Sequence, residues 1–310
     1  MTIDTIVTDL DDTLLDGSGQ LSGYTLEVMA EVKRRGIRLI PCSGRTHASM
    51  YPFVAKLDTG LPYIGGNGSE IVGADHRLME QLTLDVDLAR EICAFLSENG
   101  LYVQVYTDEA FYYSVECDIA RRYKQSSGMK GVAVGDVCAF LSFATPKVLS
   151  VGEPEDVLRL MPLANERFRG RASFTMSKPY FLEAEPPGAT KGEALLRLAG
   201  RIGIVPERTA AFGDSLNDMS LLAFTPNSVG HGQRHPRAAR GGGPRLPAQH
   251  RGRRGPLRGG AHPVRRRRND RPGGFSHQAE PRAAQRHHQD PAGHQRNRHQ
   301  PARHAVLRLL

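Results

Sequence analysis

Apolar positions over the first 76 residues fall into short runs separated by longer stretches in which they recur every three or four residues. The runs "TIVTD" (Thr5 to Asp9), "IRLIPCSG" (Ile37 to Gly44) and "LPYIGGNG" (Leu61 to Gly68) read as buried strands running into turns. Between them, "GYTLEVMAEVKRRG" and a stretch from Thr46 to about Lys56 have the period of amphipathic helices, the first closed by Gly36. Strand–helix alternation of this kind predicts βαβ units on a parallel sheet, whose functional residues gather beyond the carboxyl ends of the strands.

Past Asp75 the texture changes. Two helical stretches, "LDVDLAREICAFLSENG" and "EPEDVLRLMPLANERF", lie among the strand-like runs "LYVQVYT", "AFYYSV", "PKVLSVG", "RASFTMS" and "YFLEAE". From "TKGEALLRLAGRIGI" to "RTAAFGDSLNDMSLLAF" the pattern returns to helix, strand, helix. The expected architecture is α/β: a Rossmann-like, doubly wound parallel sheet formed by residues 1–76 and 187–229, interrupted by an α+β cap over 77–186.

Charge divides the chain elsewhere. Of 41 Lys+Arg and 33 Asp+Glu, residues 231–310 hold 19 Arg, no Lys and 3 acids, leaving 22 bases and 30 acids in an acidic body. The basic segment has one aromatic, Phe275, and no Ile, Met or Tyr, so it is expected to be a disordered tail unable to build a core. No run approaches the ~20 apolar residues of a membrane span, and "MTIDTIVTDLDD" has no basic flank followed by an apolar stretch. The cysteines, Cys42, Cys93, Cys117 and Cys138, form no CxxC pair. These features predict a cytoplasmic protein without a membrane partner.

The strand ends carry the candidate chemistry. Asp9, Asp11, Asp12 and Thr13 follow the first strand and Ser43 the second; Lys191 stands before a helix, and Asp214, Asn217 and Asp218 follow "TAAF". Each has an ordinary structural explanation taken alone, since acids and serines begin helices and turns and a lysine is commonly solvated. Together they describe converging carboxylates, which repel one another unless a cation joins them. Mg²⁺ suits oxygen ligands of this kind, and a neighbouring lysine and hydroxyl supply donors to a phosphoryl group. His47 and His76 are the only histidines of the body, and no histidine metal site is expected.

The segments "DLDDTLL", "CSGR", "ATKGEAL" and "FGDSLNDMSLL" resemble, in order, the four motifs of haloacid dehalogenase-superfamily phosphatases. The cap between the second and third motifs, and "GGNGSEI" at Gly65 to Ile71, resemble the Cof-type subgroup. The resemblance implies a Mg²⁺-dependent phosphomonoesterase acting on a small phosphorylated metabolite, a sugar or cofactor phosphate. Asp9 is then the nucleophile and Asp11 the general acid and base, with Lys191 and Ser43 gripping the phosphoryl oxygens. Asp9, Asp11 through its backbone carbonyl, Asp214 and Asp218 form the metal set, with Asn217 and Asp218 orienting Lys191 or metal-bound water. Thr13, Gly44, Arg45 and Asn67 line the phosphate pocket. A sugar phosphomutase of the same superfamily is the alternative within the enzyme class.

The pattern departs from that family at Gly230. Codons for Gly230 to Arg240 can be chosen so that, read one nucleotide on, they spell "AMGNGTPELR", the continuation expected of the family. An Arg/Pro/Gly/Ala-rich composition is also what a GC-rich gene yields out of frame. A single-nucleotide frameshift near Val229 is therefore expected. The competing reading is a nucleic-acid-binding tail through "RRRR" at Arg265 to Arg268; it lacks interleaved aromatics and any recognition motif, so no specific nucleic-acid partner is expected.

Overall fold

The structure, a computed structural model, describes residues 2–230. The basic segment 231–310, and with it the expectations of disorder and of an out-of-frame origin, lies outside the described residues.

The first part of the chain runs β1 (Thr5–Thr8), α1 (Gly23–Arg34), β2 (Arg38–Pro41), α2 (His47–Leu57), β3 (Tyr63–Gly65), β4 (Glu70–Val72) and β5 (Leu78–Gln81). The cap follows: α3 (Val86–Glu98), β6 (Tyr102–Tyr106), β7 (Ala110–Tyr113), α4 (Asp118–Ser127), β8 (Lys130–Ala133), α5 (Val137–Phe140), β9 (Val148–Val151), α6 (Pro154–Arg167), β10 (Ser173–Thr175) and β11 (Phe181–Glu185). Then come α7 (Lys191–Ile202), β12 (Thr209–Gly213), α8 (Met219–Leu222) and β13 (Asn227–Gly230).

Strands β13-β12-β1-β2 form a parallel sheet, extended toward β3 by a parallel bridge between Cys42 and Ile64. Strands β1, β2 and β12 bury apolar side chains on successive residues because both faces are covered there, whereas β13 alternates half-buried and exposed positions. Ile6, Leu39, Ala210 and Phe212 pack with Val28, Met50 and Phe53 from α1 and α2. Their neighbours Val7, Ile40 and Ala211 pack with Leu195, Leu198 and Leu221 from α7 and α8 on the other side. This is the doubly wound arrangement, and it brings the residues after β1, β2 and β12 to one edge.

Strand β5 pairs with β4, and β4 with β3, in an antiparallel sheet, so Leu78–Gln81 joins the first part although it follows residue 76. The cap is a six-stranded sheet in the order β10-β11-β9-β6-β7-β8, antiparallel except between β7 and β8. One face buries Leu88, Ile92 and Leu96 of α3 and Val157 and Leu160 of α6. The other buries Tyr106, Phe111 and Tyr113 against Ala120 of α4. The four cysteines are free. Among the described residues no helix is long and apolar enough to cross a membrane.

Candidate active site

Asp9 leaves β1 with its amide bonded to the Phe212 carbonyl at 3.0 Å, which fixes it beside the end of β12. The chain then turns sharply: the Leu10 carbonyl accepts from the amides of Thr13, Leu14 and Leu15, and Asp12 takes a left-handed φ of 57°. Ser43 follows β2 in the same way, its amide bonded to the Ile64 carbonyl at 2.9 Å.

Lys191 is the first residue of α7, whose start is capped by the Thr190 side chain accepting from the Glu193 amide. Its side chain is fully buried, and Nζ lies 2.6 Å from Asp9 Oδ1 and 2.5 Å from Asp218 Oδ1. Burial opposes its charge, but the two carboxylates outweigh that and hold the ammonium well above its ordinary pKa. Asp218 is clamped at both oxygens, since Oδ2 accepts from the amides of Asp214 and Ser215 at 2.9 and 3.0 Å.

The oxygens of Asp9, Asp214 and Asp218 lie within 4.8 Å of one another. Thr13 Oγ1 donates to Asp214 Oδ1 at 3.2 Å and Ser215 Oγ to Oδ2 at 3.0 Å. Burial, partly offset by Lys191, pushes the Asp9 carboxyl well above the usual carboxylate range. Burial and the Asp218 charge push Asp214 up to about 6. Three acids against one ammonium leave negative charge unbalanced, and their hard oxygens are what Mg²⁺ takes, so the residues fit that ion.

Arg45 forms a two-pronged pair with Asp11, Nε to Oδ2 and Nη2 to Oδ1, each 2.8 Å. Burial raises the Asp11 carboxyl, but the Arg45 hydrogen bonds and charge more than reverse this and hold it below its ordinary value. These groups open into a cavity of about 630 Å³ between the strand ends and the cap, lined by Asp9, Asp11, Arg45, Asp214 and Asn217 from the sheet side.

The structure thus brings Asp9, Asp11, Thr13, Arg45, Lys191, Asp214, Asn217 and Asp218 to one place. Ser43 is buried, its Oγ accepting from the Arg45 amide at 3.2 Å. Asn67 is buried too and acts as a brace rather than cavity lining: Nδ2 donates to Glu185 and Oδ1 accepts from Asn217 Nδ2 at 2.8 Å. Gly44 leaves room for it: a Cβ there would stand 2.7 Å from Asn67 Oδ1 and push that side chain aside.

Sequence reasoning missed the cap's share. Lys147 Nζ, buried, donates to the Gly44 carbonyl and to Glu183, each at 2.8 Å, tying the cap to the second motif. A single lysine before a strand has no local signature, and its partners lie 103 and 36 residues away. The cavity's cap side adds Arg122, Tyr123, Lys178, Tyr180 and Phe181.

A capped, doubly wound parallel sheet with buried acids and a lysine at its strand ends points to a class, phosphoryl-group hydrolases of Rossmann-like fold. Residues 6–239 match the family model of haloacid dehalogenase-like hydrolases, and the chain belongs to that family as a Cof-type phosphatase. Over 224 residues it is 28% identical to the HMP-PP phosphatase of Enterobacter sp. (strain 638), covering 72% of this chain and 80% of that one. It is similar, with a TM-score of 0.64 and 25% identity, to a haloacid dehalogenase-like hydrolase from Bacteroides thetaiotaomicron, over 72% of this chain and 86% of the other. A haloacid dehalogenase-like hydrolase from B. subtilis shares the fold at 24% identity and a TM-score of 0.64, over 74% of this chain and 89% of its own.

Proposed function

We propose that the chain is a Mg²⁺-dependent phosphomonoesterase of small phosphorylated metabolites, working through a phosphoryl group carried on Asp9. The observation behind this is the buried Lys191 ammonium 2.6 Å from an Asp9 carboxylate that faces the capped cavity. Asp9, the Asp11 backbone carbonyl and Asp214 hold the ion, and Asp218, both of whose oxygens are engaged, orients Lys191 instead. The ion supplies charge neutralisation at the phosphoryl oxygens.

Asp9 attacks phosphorus; the new O–P bond forms as the ester P–O bond breaks, and Asp11 gives its proton to the leaving alkoxide. Asp11 then takes a proton from the water that attacks the phosphoryl group, which regenerates Asp9 and releases phosphate. To carry that proton, Asp11 must be released at one oxygen by the Arg45 fork. Lys191 stabilises charge on the equatorial oxygens, assisted by Ser43.

The cavity favours a flat ring bearing phosphate. Tyr123, Tyr180 and Phe181 bring aromatic side chains to its lining, and Arg122 and Lys178 add cations beyond those that the transferred group needs. The similarity to an HMP-PP phosphatase supports a small phosphorylated metabolite as the substrate. A panel of ring phosphates and sugar phosphates, assayed for inorganic phosphate with and without Mg²⁺, tests the reading. Phosphate release from a ring phosphate supports it; isomerised hexose phosphate without release would show a mutase.

A further inference from the structure

Outside the cavity, three metal-ligating side chains from separate segments meet: His47 at the start of α2, Glu70 on β4 and Asp108 in the turn between β6 and β7. Their donor atoms all lie within 4.8 Å of one another. Glu70 is fully buried. Its Oε2 caps α2 by accepting the His47 amide at 2.6 Å, while Oε1 has no partner. His47 Nδ1, buried, makes no hydrogen bond and has Glu70 Oε2 as its charged neighbour at 3.7 Å. The Tyr63 hydroxyl is a further unpartnered atom there, pushed up to about 12 by burial and then by the Glu70 charge. Buried acceptors without donors are costly, and groups of them in one place call for a common partner.

We propose that His47, Glu70 and Asp108 form a second divalent-cation site, of the Zn²⁺ type, which fastens the cap's β6–β7 turn to the core. One imidazole nitrogen and two carboxylates are a borderline donor set that suits Zn²⁺, whereas the all-oxygen cluster at Asp9 and Asp214 suits Mg²⁺. Four-coordinate Zn²⁺ places its ligand atoms about 3.3 Å apart, given bonds of ~2.0–2.1 Å. The exposed Asp108 supplies the needed movement by turning its side chain. Gln81 Nε2 holds its Oδ1 at 2.9 Å, leaving Oδ2 for the ion. Three protein ligands leave a fourth position for water.

The site has a structural consequence. His47 lies two residues after Arg45, and Glu70 three after Asn67, so a bound ion ties both site loops to the cap. None of this depends on the chemistry at Asp9.

The test titrates the full chain with Zn²⁺ in excess Mg²⁺ against a chromophoric chelator, alongside Asp108→Ala and His47→Ala. Asp108 is an exposed turn residue, so its variant keeps the test open if His47→Ala folds poorly. Ten of the twelve histidines lie in residues 231–310, so the difference between variants, rather than total uptake, is the readout. The wild type is expected to bind one more Zn²⁺ than either variant, with that equivalent weakened at least about tenfold in each. Zn²⁺ should also slow hydrogen exchange around residues 45–50 and 105–110 in the wild type and in neither variant. Asp214→Asn should keep both effects. Equal uptake and exchange in all chains would overturn the proposal, as would loss of the extra Zn²⁺ in Asp214→Asn with retention in Asp108→Ala.

Discussion

At the residue scale the site is governed by one ammonium between two carboxylates. Lys191 has no solvent to fall back on, and it touches the proposed nucleophile directly. Lys191→Ala is expected to lower kcat on the order of 10²–10³, the scale of losing one transition-state donor; kinetics close to wild type would return it to a purely structural role. Asp214 sets a pH dependence. Its folded pKa of about 6 lies above the ordinary 3.8, so between those values the folded chain binds more protons than the unfolded one. The metal-free protein therefore loses stability as pH rises from about 4 through about 6. Mg²⁺ should abolish this trend, because it binds the ionised form; denaturant midpoints at pH 5 and 7, with and without Mg²⁺, check the sign. The acids after β1 and β12 and Ser43 after β2 were legible in the sequence because a parallel sheet brings its strand ends together. Asn67 bridging Glu185 and Asn217, and Arg45 pairing with Asp11, were not, because hydrogen bonds among side chains leave no periodicity.

At the element scale, helices and strands with an apolar face were readable and those without were not. Helix α3 buries Leu88, Ala89, Ile92, Cys93 and Leu96 at helical spacing, which is visible in the chain. Helix α4, "DIARRYKQSS", buries only Ala120 and has no apolar residue beyond Ile119, Ala120 and Tyr123; edge strand β8 has no buried residue. Both owe their form to tertiary contact, which a local pattern does not record. The turn before β4 has a different requirement. Gly68 has φ +105°, and a Cβ there would lie 2.3 Å from the Thr190 carbonyl oxygen, just before Lys191. Gly68→Ala should cost more than about 1 kcal/mol and displace the start of α7. The expected result is a lower Tm together with a lower kcat, and an unchanged Tm would contradict the close approach.

At the scale of the whole molecule, polar contacts to the second motif and to the first turn of α2 tie the cap to the sheet. Lys147 reaches the Gly44 carbonyl, Arg45 Nη1 the Ser126 carbonyl at 3.1 Å, and Ser49 Oγ the Ser127 carbonyl at 2.7 Å. Lys147→Ala leaves Glu183 buried without its cation and should cost about 3–5 kcal/mol, with Lys147→Met combined with Glu183→Leu recovering most of it. Denaturant unfolding of the two variants decides this. The segment beyond Gly230 has its own check: sequencing the gene across that codon should show a one-nucleotide change of frame, and a confirmed frame would remove that reading. The proposed mechanism requires Asp9 to be the group that takes the phosphoryl. Asp11→Asn lacks the base for hydrolysis, yet a leaving group as good as p-nitrophenolate needs no proton from it. Acid-quenched mass spectrometry of Asp11→Asn, incubated with p-nitrophenyl phosphate and Mg²⁺, is the most direct measurement. One phosphoryl group per chain is expected, located on Asp9 and absent when Asp9 is also changed to Asn; turnover persisting in Asp9→Asn, or phosphoryl found on another residue, would contradict the mechanism.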